Sequence, residues 1–377
     1  MLKWIADLKP AFISTTVLRT ACFLSFAFAC PAVHGQFMNE DAPLVPAPPL
    51  VTNGAAFSNW EHQVGEFIIA WQGNSLANAQ LAISTLDQTD NAKWLSMPGT
   101  AFVLAATASA DAPSGTGYSH LIEQVSEHCS GHSVESSSLI NGTLVISGIL
   151  SCGNVGSVPY DLSLSEVGAG QLQFDLRVDS DSIGRTGLLF GSNPEERVFG
   201  FGEQFSAFDF KGKRIPIMVD EQGLSRGAQP LTDWFDSRSI SAAGEWYSTY
   251  APIPHFITTD LRSMMLENAD YSVIDLREDE QITMLTYSNQ LLARLIVGAT
   301  PLDLIERYTS YSGRMRALPE WSTKGLILGI QGGTERILEA TKKLLDENAI
   351  LSAMWMQDWQ GQRQVAQGFR LWWNWEL

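Results

Sequence analysis

The residues of this chain that can do recognisable chemistry lie near its end: Gln331, Gln357, Asp358, Arg370 and Trp373. A guanidinium is a permanent cation whose planar fork pairs with two oxygens of an anion at once. An indole adds one N–H donor and an apolar face. Carboxamides donate and accept hydrogen bonds, as hydroxyl groups do. Gathered at one place, these side chains suit a hydroxylated carbon ring with an anionic tip. In a partly dry pocket each charged hydrogen bond contributes about 1.5–3 kcal/mol. Taken singly, each residue also has a plainer role. Arg370 reads as a surface cation, Gln331 as a strand end beside Gly332 and Gly333, and Asp358 as a turn cap. Trp373 is one aromatic among Trp355, Trp359, Trp372 and Trp375, and Trp355 reads as core.

The elements that must position these residues are an alternating set. LILGI at 326–330 and LSAMWMQ at 351–357 are continuous apolar runs, the pattern of parallel strands buried on both faces. Between them Thr334 is placed to cap a helix with Ile337, Leu338, Leu344 and Leu345 on one stripe. Strand, helix and strand of this length make a right-handed βαβ unit. Gln331 and the pair Gln357-Asp358 then stand at the carboxyl ends of strands, the rim on which barrel chemistry is built.

Upstream the pattern changes. From about 56 to 295, short β segments are broken by Gly, Ser, Asn and Asp. Among them are TLVISGIL at 143–150 and DLSLSEV at 161–167, the latter turning through Gly168-Ala169-Gly170 into QLQFDLRV at 171–178. Period-two alternation with frequent turn residues predicts antiparallel sheets in a large β-sandwich. Residues 301–313 switch to helical spacing, with Pro301 in the first turn, and Leu318–Trp321 reads as a linker. The expected organisation is α+β and multidomain: residues 1–36 as signal peptide and leader, 37–315 as the sandwich, 322–377 as the beginning of a (β/α) barrel. Within the sandwich domain, the Pro- and Ala-rich stretch 37–55 reads as flexible.

Bulk properties exclude some functions. The 377 residues are 45% hydrophobic and 17% charged, a globular composition with length for substantial cores. With 24 basic against 41 acidic residues and a net charge of −17, the chain has no surplus with which to neutralise a nucleic-acid backbone. Lys3, Lys9 and Arg19 precede the apolar run TACFLSFAFAC at 20–30, which is too short to span a bilayer but suits a signal-peptide core. Cleavage is expected near Gly35–Gln36, with a secreted product; an uncleaved anchor is the alternative. Removing that segment takes Cys22 and Cys30 with it. Cys129 and Cys152 then remain, as one disulfide or as two buried thiols. Asn141-Gly142-Thr143 is a glycosylation sequon on an expected turn. His128, Cys129 and His132 lack the further spaced ligands a metal site needs and read as a surface loop; no metal or cofactor is expected.

Several motifs together resemble glycoside hydrolase family 31, and within it the sulfoquinovosidases. They are Phe201-Gly202-Glu203-Gln204-Phe205, Glu221-Gln222-Gly223, the run Leu328–Glu335 and Gln357-Asp358-Trp359. The resemblance implies an N-terminal galactose-mutarotase-like β-sandwich followed by a catalytic (β/α)8 TIM barrel, of which the chain holds the first strands and helix. It implies retaining hydrolysis of α-glycosides, most of all α-sulfoquinovosides, so the expected partner is a small carbohydrate. Gln331, Gln357 and Asp358 would then bind sugar hydroxyls, while Arg370 and Trp373 hold the sulfonate. Gln360 and Phe369 depart from the family pattern beside that group. Both catalytic carboxylates would lie beyond Leu377, which implies an inactive fragment. Glu203 and Glu221 are expected to shape loops rather than to catalyse. An ordinary α-glucosidase or α-xylosidase, or a non-catalytic carbohydrate-binding remnant, are the alternative readings.

Overall fold

The computed structural model describes residues 35–37, 42–52, 58–89, 91–111, 121–220, 230, 244–356, 363–365 and 368–370. The chain divides into two compact units, Met1–Tyr308 and Thr309–Leu377.

The first unit is almost entirely sheet. An eight-stranded sheet runs in the order Val198–Gly202, Pro252–Thr258, Arg262–Leu266, Gln290–Val297, Gln171–Val178, Gly156–Gly168, Thr143–Cys152, Gly131–Ile140. A seven-stranded sheet runs Gly35–Phe37, Ile122–His128, Val103–Asp111, Arg185–Gly191, Gln281–Thr286, Ser272–Asp275, Arg214–Ile217. All neighbours in both sheets are antiparallel. A smaller sheet joins Trp60–Val64, Phe67–Gln72, Gln80–Thr85 and Trp94–Leu95.

Alternation sets the layering. Along Thr143–Cys152 every second residue is buried, and Leu144, Ile146 and Leu150 enter one apolar core with Phe174, Phe190, Ile282 and Met284 of the two large sheets. Each such side chain contributes about 2 kcal/mol by leaving water. Trp94 of the small sheet packs its ring 5.5–6.2 Å from those of Phe102, Phe174 and Phe190, so one indole joins all three sheets. Asn141 and Gly142, at φ 50° and 83°, close the hairpin between Ile140 and Thr143 as an Asn-Gly turn should. Gly148 must lack a side chain, because a Cβ there would fall 2.0 Å from the Ser133 carbonyl oxygen and 2.5 Å from the Tyr160 ring.

Several buried charges gather in one cluster. Glu123 accepts two hydrogen bonds of 2.8 Å from Arg214 and further ones from the Tyr271 and Tyr287 hydroxyls, with Arg185 4.0 Å away. Glu123 belongs to the second strand of the seven-stranded sheet and Arg214 to the seventh. In a flat sheet five strand spacings separate them by about 24 Å, beyond the reach of either side chain. The sheet is therefore rolled until these strands approach. Burial pushes the Glu123 carboxyl up, but Arg214, Tyr287 and Arg185 overcome it and hold it below the usual range.

Two expectations are corrected in this unit. Residues 42–52 are not a loose leader: Ala42, Val45 and Leu50 are buried, and the Leu50 and Val51 amides donate to the Gly99 and His132 carbonyls. The anchors come from distant parts of the chain, which the local Pro-Ala composition does not reveal. Nor is His132 in a surface loop, since it sits fully buried on the strand Gly131–Ile140. The Tyr160 hydroxyl donates to the Ser133 carbonyl, so His132 Nε2 must be the donor in its 2.7 Å bond to Tyr160. Nδ1 is then a bare acceptor, buried and unpartnered. The disulfide alternative holds for the cysteines, with Cys129 bonded to Cys152.

Helix α1 (Pro301–Ser312) starts as its sequence predicts. Thr300 Oγ1 accepts from the Asp303 amide and Asp303 Oδ2 accepts from the Thr300 amide, a reciprocal cap with Pro301 just inside. His255 stacks on Tyr308 of this helix at 3.8 Å and 9°, with Nε2 2.7 Å from Ser263 Oγ. In the second unit, α2 (Trp321–Lys324) precedes the parallel pair Leu326–Ile330 and Leu351–Met356, joined by α3 (Thr334–Asp346). The strands are parallel as expected but not buried on both faces: Leu326, Ile327 and Met356 are about half exposed and Trp355, expected in the core, is 66% exposed. Helices α2 and α3 adjoin the pair, and much of it stays open to solvent. The packed stripe of α3 is Ile337, Thr341 and Leu344, with Thr341 Oγ1 3.0 Å from Met354 Sδ. Leu338 and Leu345, one position further round the helix, are exposed.

Replacing Glu123 by Gln removes the carboxylate that Arg214 and Arg185 share, leaving Arg214 with Asp275 at 3.7 Å, and should cost about 3–5 kcal/mol in urea unfolding. Burial depresses His132 to about 3 and His255 to about 4. Neutral imidazole is thus favoured in the folded state, and the unfolded chain takes up protons first as pH drops below the ordinary histidine value. Stability complete above about pH 6.5 should fall by on the order of 2–3 kcal/mol per histidine by pH 4.5. A flat unfolding free energy between pH 7 and 4.5 would contradict this burial.

Candidate functional site

The second unit sets out the candidate residues from the backbone up. Ile330 pairs with Met356 at the carboxyl end of the two strands, directly before positions 331 and 357. Gln331 is half-buried at that end and has a polar or ring contact of its own. Gly332 and Gly333 follow at φ 111° and 87°, left-handed values that glycine adopts without strain. They turn the chain into α3 at once, so that Gly333, rather than the expected Thr334, precedes the first helical residue. A Cβ on Gly332 would lie 2.6 Å from Arg336 Cδ, which shows Arg336 folded back over the turn. The Gly333 carbonyl accepts the Ile337 amide at 3.2 Å and starts the helical ladder.

Arg370 belongs to the strand Gly368–Arg370, antiparallel to Arg363–Val365, with Arg370 opposite Arg363 in register. Gln357, Asp358 and Trp373 lie outside the described residues, as does Glu221. Of the candidate set, the structure therefore describes the side chain of Gln331 and the backbone of Arg370.

In the first unit, the buried carboxylates that might be taken for catalysts are fully engaged. Glu196 accepts from Arg262 Nε at 2.8 Å and Nη2 at 2.6 Å, and from Ser192 Oγ at 2.7 Å. Burial raises its pKa, but the Arg262 bonds outweigh this and hold it ionised below the usual range. A carboxylate so paired neither donates nor takes a proton near neutrality, so Glu196 and Glu123 are structural. Glu203 stands in a loop fixed by backbone: its amide donates to the Ala251 carbonyl and its carbonyl accepts Thr249 Oγ1 at 2.6 Å. The loop bends at Phe201, buried at φ 66°, between Gly200 and Gly202. Beside it, both ends of the Gln204 carboxamide are shielded from solvent without a hydrogen-bond partner among the described residues. Sequence reading named Gln204 only as part of a motif; no pattern along the chain shows an amide left unsatisfied. His128 accepts Arg185 Nη2 at 3.3 Å, which accounts for it without a metal.

No family model matches the chain. It is 32% identical over 215 residues to a sulfoquinovosidase of Escherichia coli (strain K12), an alignment covering 57% of this chain and 32% of that protein. It is 28% identical over 196 residues to a sulfoquinovosidase of Agrobacterium fabrum, covering 52% of this chain and 29% of the relative. Its fold is similar to that of a solved GH31 family sulfoquinovosidase from E. rectale in complex with an aza-sugar inhibitor, with a TM-score of 0.63 and 24% identity over 84% of this chain and 44% of that one. The chain spans about a third of the length of the curated relatives it matches. It is thus sulfoquinovosidase-like in sequence, and its relatives are glycosidases.

Gly333→Ala forces a side chain into left-handed backbone at a cost of about 1–2 kcal/mol. Hydrogen exchange at the Ile337 amide should quicken by roughly 5- to 30-fold in that variant; unchanged exchange would show that the turn tolerates a Cβ.

Proposed function

We propose that this chain supplies the sugar-recognising part of a retaining α-glycosidase of the family 31 type, directed at α-sulfoquinovosides. The observation that carries the reading is the 32% identity over 215 residues to a sulfoquinovosidase. In this reading the sheet domain at 37–315 is a galactose-mutarotase-like sandwich and residues 322–377 open a (β/α)8 barrel. The parallel pair and its crossover helix α3 support that assignment. Residues 1–36 direct export, with cleavage near Gly35–Gln36.

The chemistry follows from the side chains. Arg370 pairs through its fork with a sulfonate, an anion at every physiological pH, and the Trp373 indole adds a donor and an apolar face. Gln331 and Gln357 match ring hydroxyls by donating and accepting, and Asp358 accepts from another hydroxyl. Retaining hydrolysis needs two carboxyl groups about 5–5.5 Å apart, one as nucleophile and one as acid and base. None of the five binding residues fills either role. In this reading the 377-residue chain binds the sugar without turnover.

Calorimetry with sulfoquinovose and glucose tests the assignment. Arg370→Ala should weaken the sulfonated sugar by about 10- to 100-fold, the loss of one charged pair, and leave glucose unchanged. Equal loss for both sugars would favour an ordinary α-glucoside site, and absence of saturable binding would remove the recognition role. Release of chromophore from an α-sulfoquinovoside by the 377-residue chain would refute the absence of turnover.

A further inference from the structure

The Cys129–Cys152 disulfide lies at a corner of the first unit where the chain passes from one large sheet to the other. Cys129 follows the strand Ile122–His128, and Cys152 ends Thr143–Cys152. The two residues are 5% and 3% exposed. Backbone bonds fix the corner, from the Cys129 amide to the Ala105 carbonyl at 3.0 Å and from the Ser130 amide to the Ser151 carbonyl at 2.7 Å.

Residues 42–52 run over this corner. Val45 and Pro46 share with His128, Cys129 and Arg185 the walls of a cavity of about 10 Å³, room for one water. Leu50 packs into the core that holds both cysteines, and the Val51 amide donates to the His132 carbonyl at 2.8 Å. A Cβ built on Gly131, two residues from Cys129, would touch Val51 Cγ1 and Ser151 together at 3.4 Å and 3.3 Å. The segment thus adjoins Cys129 through Val45 and Pro46, and the residues just after it through Leu50 and Val51.

Its described attachments reach distant parts of the chain one at a time. Arg277, aimed by Asp275 through bonds of 2.9 and 2.6 Å, donates to the Ala42 carbonyl at 2.7 Å and the Pro43 carbonyl at 3.4 Å. The Leu50 amide donates to Gly99 and the Pro48 carbonyl accepts from Ala101. Isolated bridges, not a ladder, pair Pro49 with Thr100 and Leu50 with His132. A segment held by isolated bonds and three buried apolar side chains opens at a lower free energy than the core strands beneath it.

We infer that residues 42–52 act as a strap that controls the reactivity of the Cys129–Cys152 disulfide: reduction proceeds through release of the strap, without unfolding of the sheets. When the strap lifts, one thiolate of an external dithiol attacks a cysteine sulfur, breaks the S–S bond and forms a mixed disulfide. The other cysteine leaves as a thiolate and takes a proton. The second thiol of the reagent, deprotonated, then displaces the bound cysteine, so the reagent ends as a cyclic disulfide and the protein as two thiols.

The test exposes the folded 377-residue chain to dithiothreitol without denaturant and counts free thiols by maleimide mass tagging over time. Arg277→Ala should accelerate reduction by about tenfold or more. Leu164→Ala, a cavity in the eight-stranded sheet, should leave the rate close to wild type although it lowers global stability. An unchanged rate in Arg277→Ala, or an equal acceleration in Leu164→Ala, overturns the proposal, the latter because reduction would then follow global unfolding. Hydrogen exchange on the wild-type chain gives a reading that needs no variant. The Leu50 and Val51 amides should exchange well before those of Leu162 and Phe174; simultaneous exchange would overturn the proposal as well.

Discussion

A rolled sheet is the constraint from which much of the first unit follows. Antiparallel strands at fixed spacing cannot bring the second and seventh members together unless the sheet curves, and Glu123 with Arg214 requires that they meet. Once curved, the sheet offers an inner apolar set to the main core and a second set, Leu104, Leu189, Val273 and Leu285, which clusters with Ala101 and with Val45 of the segment from Ala42. Removal of a buried carboxylate from such a cluster is more costly than the cluster is stabilising, because what remains is bare charge in a poor solvent for it. The cluster thus specifies curvature more than it adds stability.

The two units differ in how their side chains are satisfied. In the first, apolar residues from all three sheets enter a shared core, and the sheets converge on Trp94. In the second, α3 covers the strands through Ile337, Thr341 and Leu344, while Trp355, Met356 and Leu338 stay open to solvent. The turn after Ile330 takes left-handed φ at both of its glycines, values that glycine adopts without strain.

Local signals were legible from residues alone. Asn141-Gly142, Gly168-Ala169-Gly170 and Thr300-Pro301 lie where turns and a helix start were expected, because each depends on the φ or capping preference of its own residues. The parallel relation of 326–330 and 351–356 was legible for a similar reason, the helix between them being the one compact connection. Long-range partners were not. His132 has no neighbour in sequence that announces Tyr160, and a Pro-rich stretch says nothing of an arginine more than two hundred residues away that holds its carbonyls. Burial of Leu338, Leu345 and Trp355 was overestimated because apolar periodicity marks a preference for cover, whereas cover itself depends on what else packs there.

Among the described residues, the strand Gly131–Ile140 pairs along one flank with Thr143–Cys152 and meets Leu50 and Val51 near His132 on the other. An edge strand of this length is a template on which a second molecule can stack. The bulge between Val134 and Ser136 breaks its straight run, and Glu135 with Ser136, Ser137 and Ser138 makes the border hydrophilic. Fibril-like growth at high concentration is thereby discouraged in a molecule built largely of paired strands, and colloidal behaviour becomes one of the properties this serine-rich margin maintains.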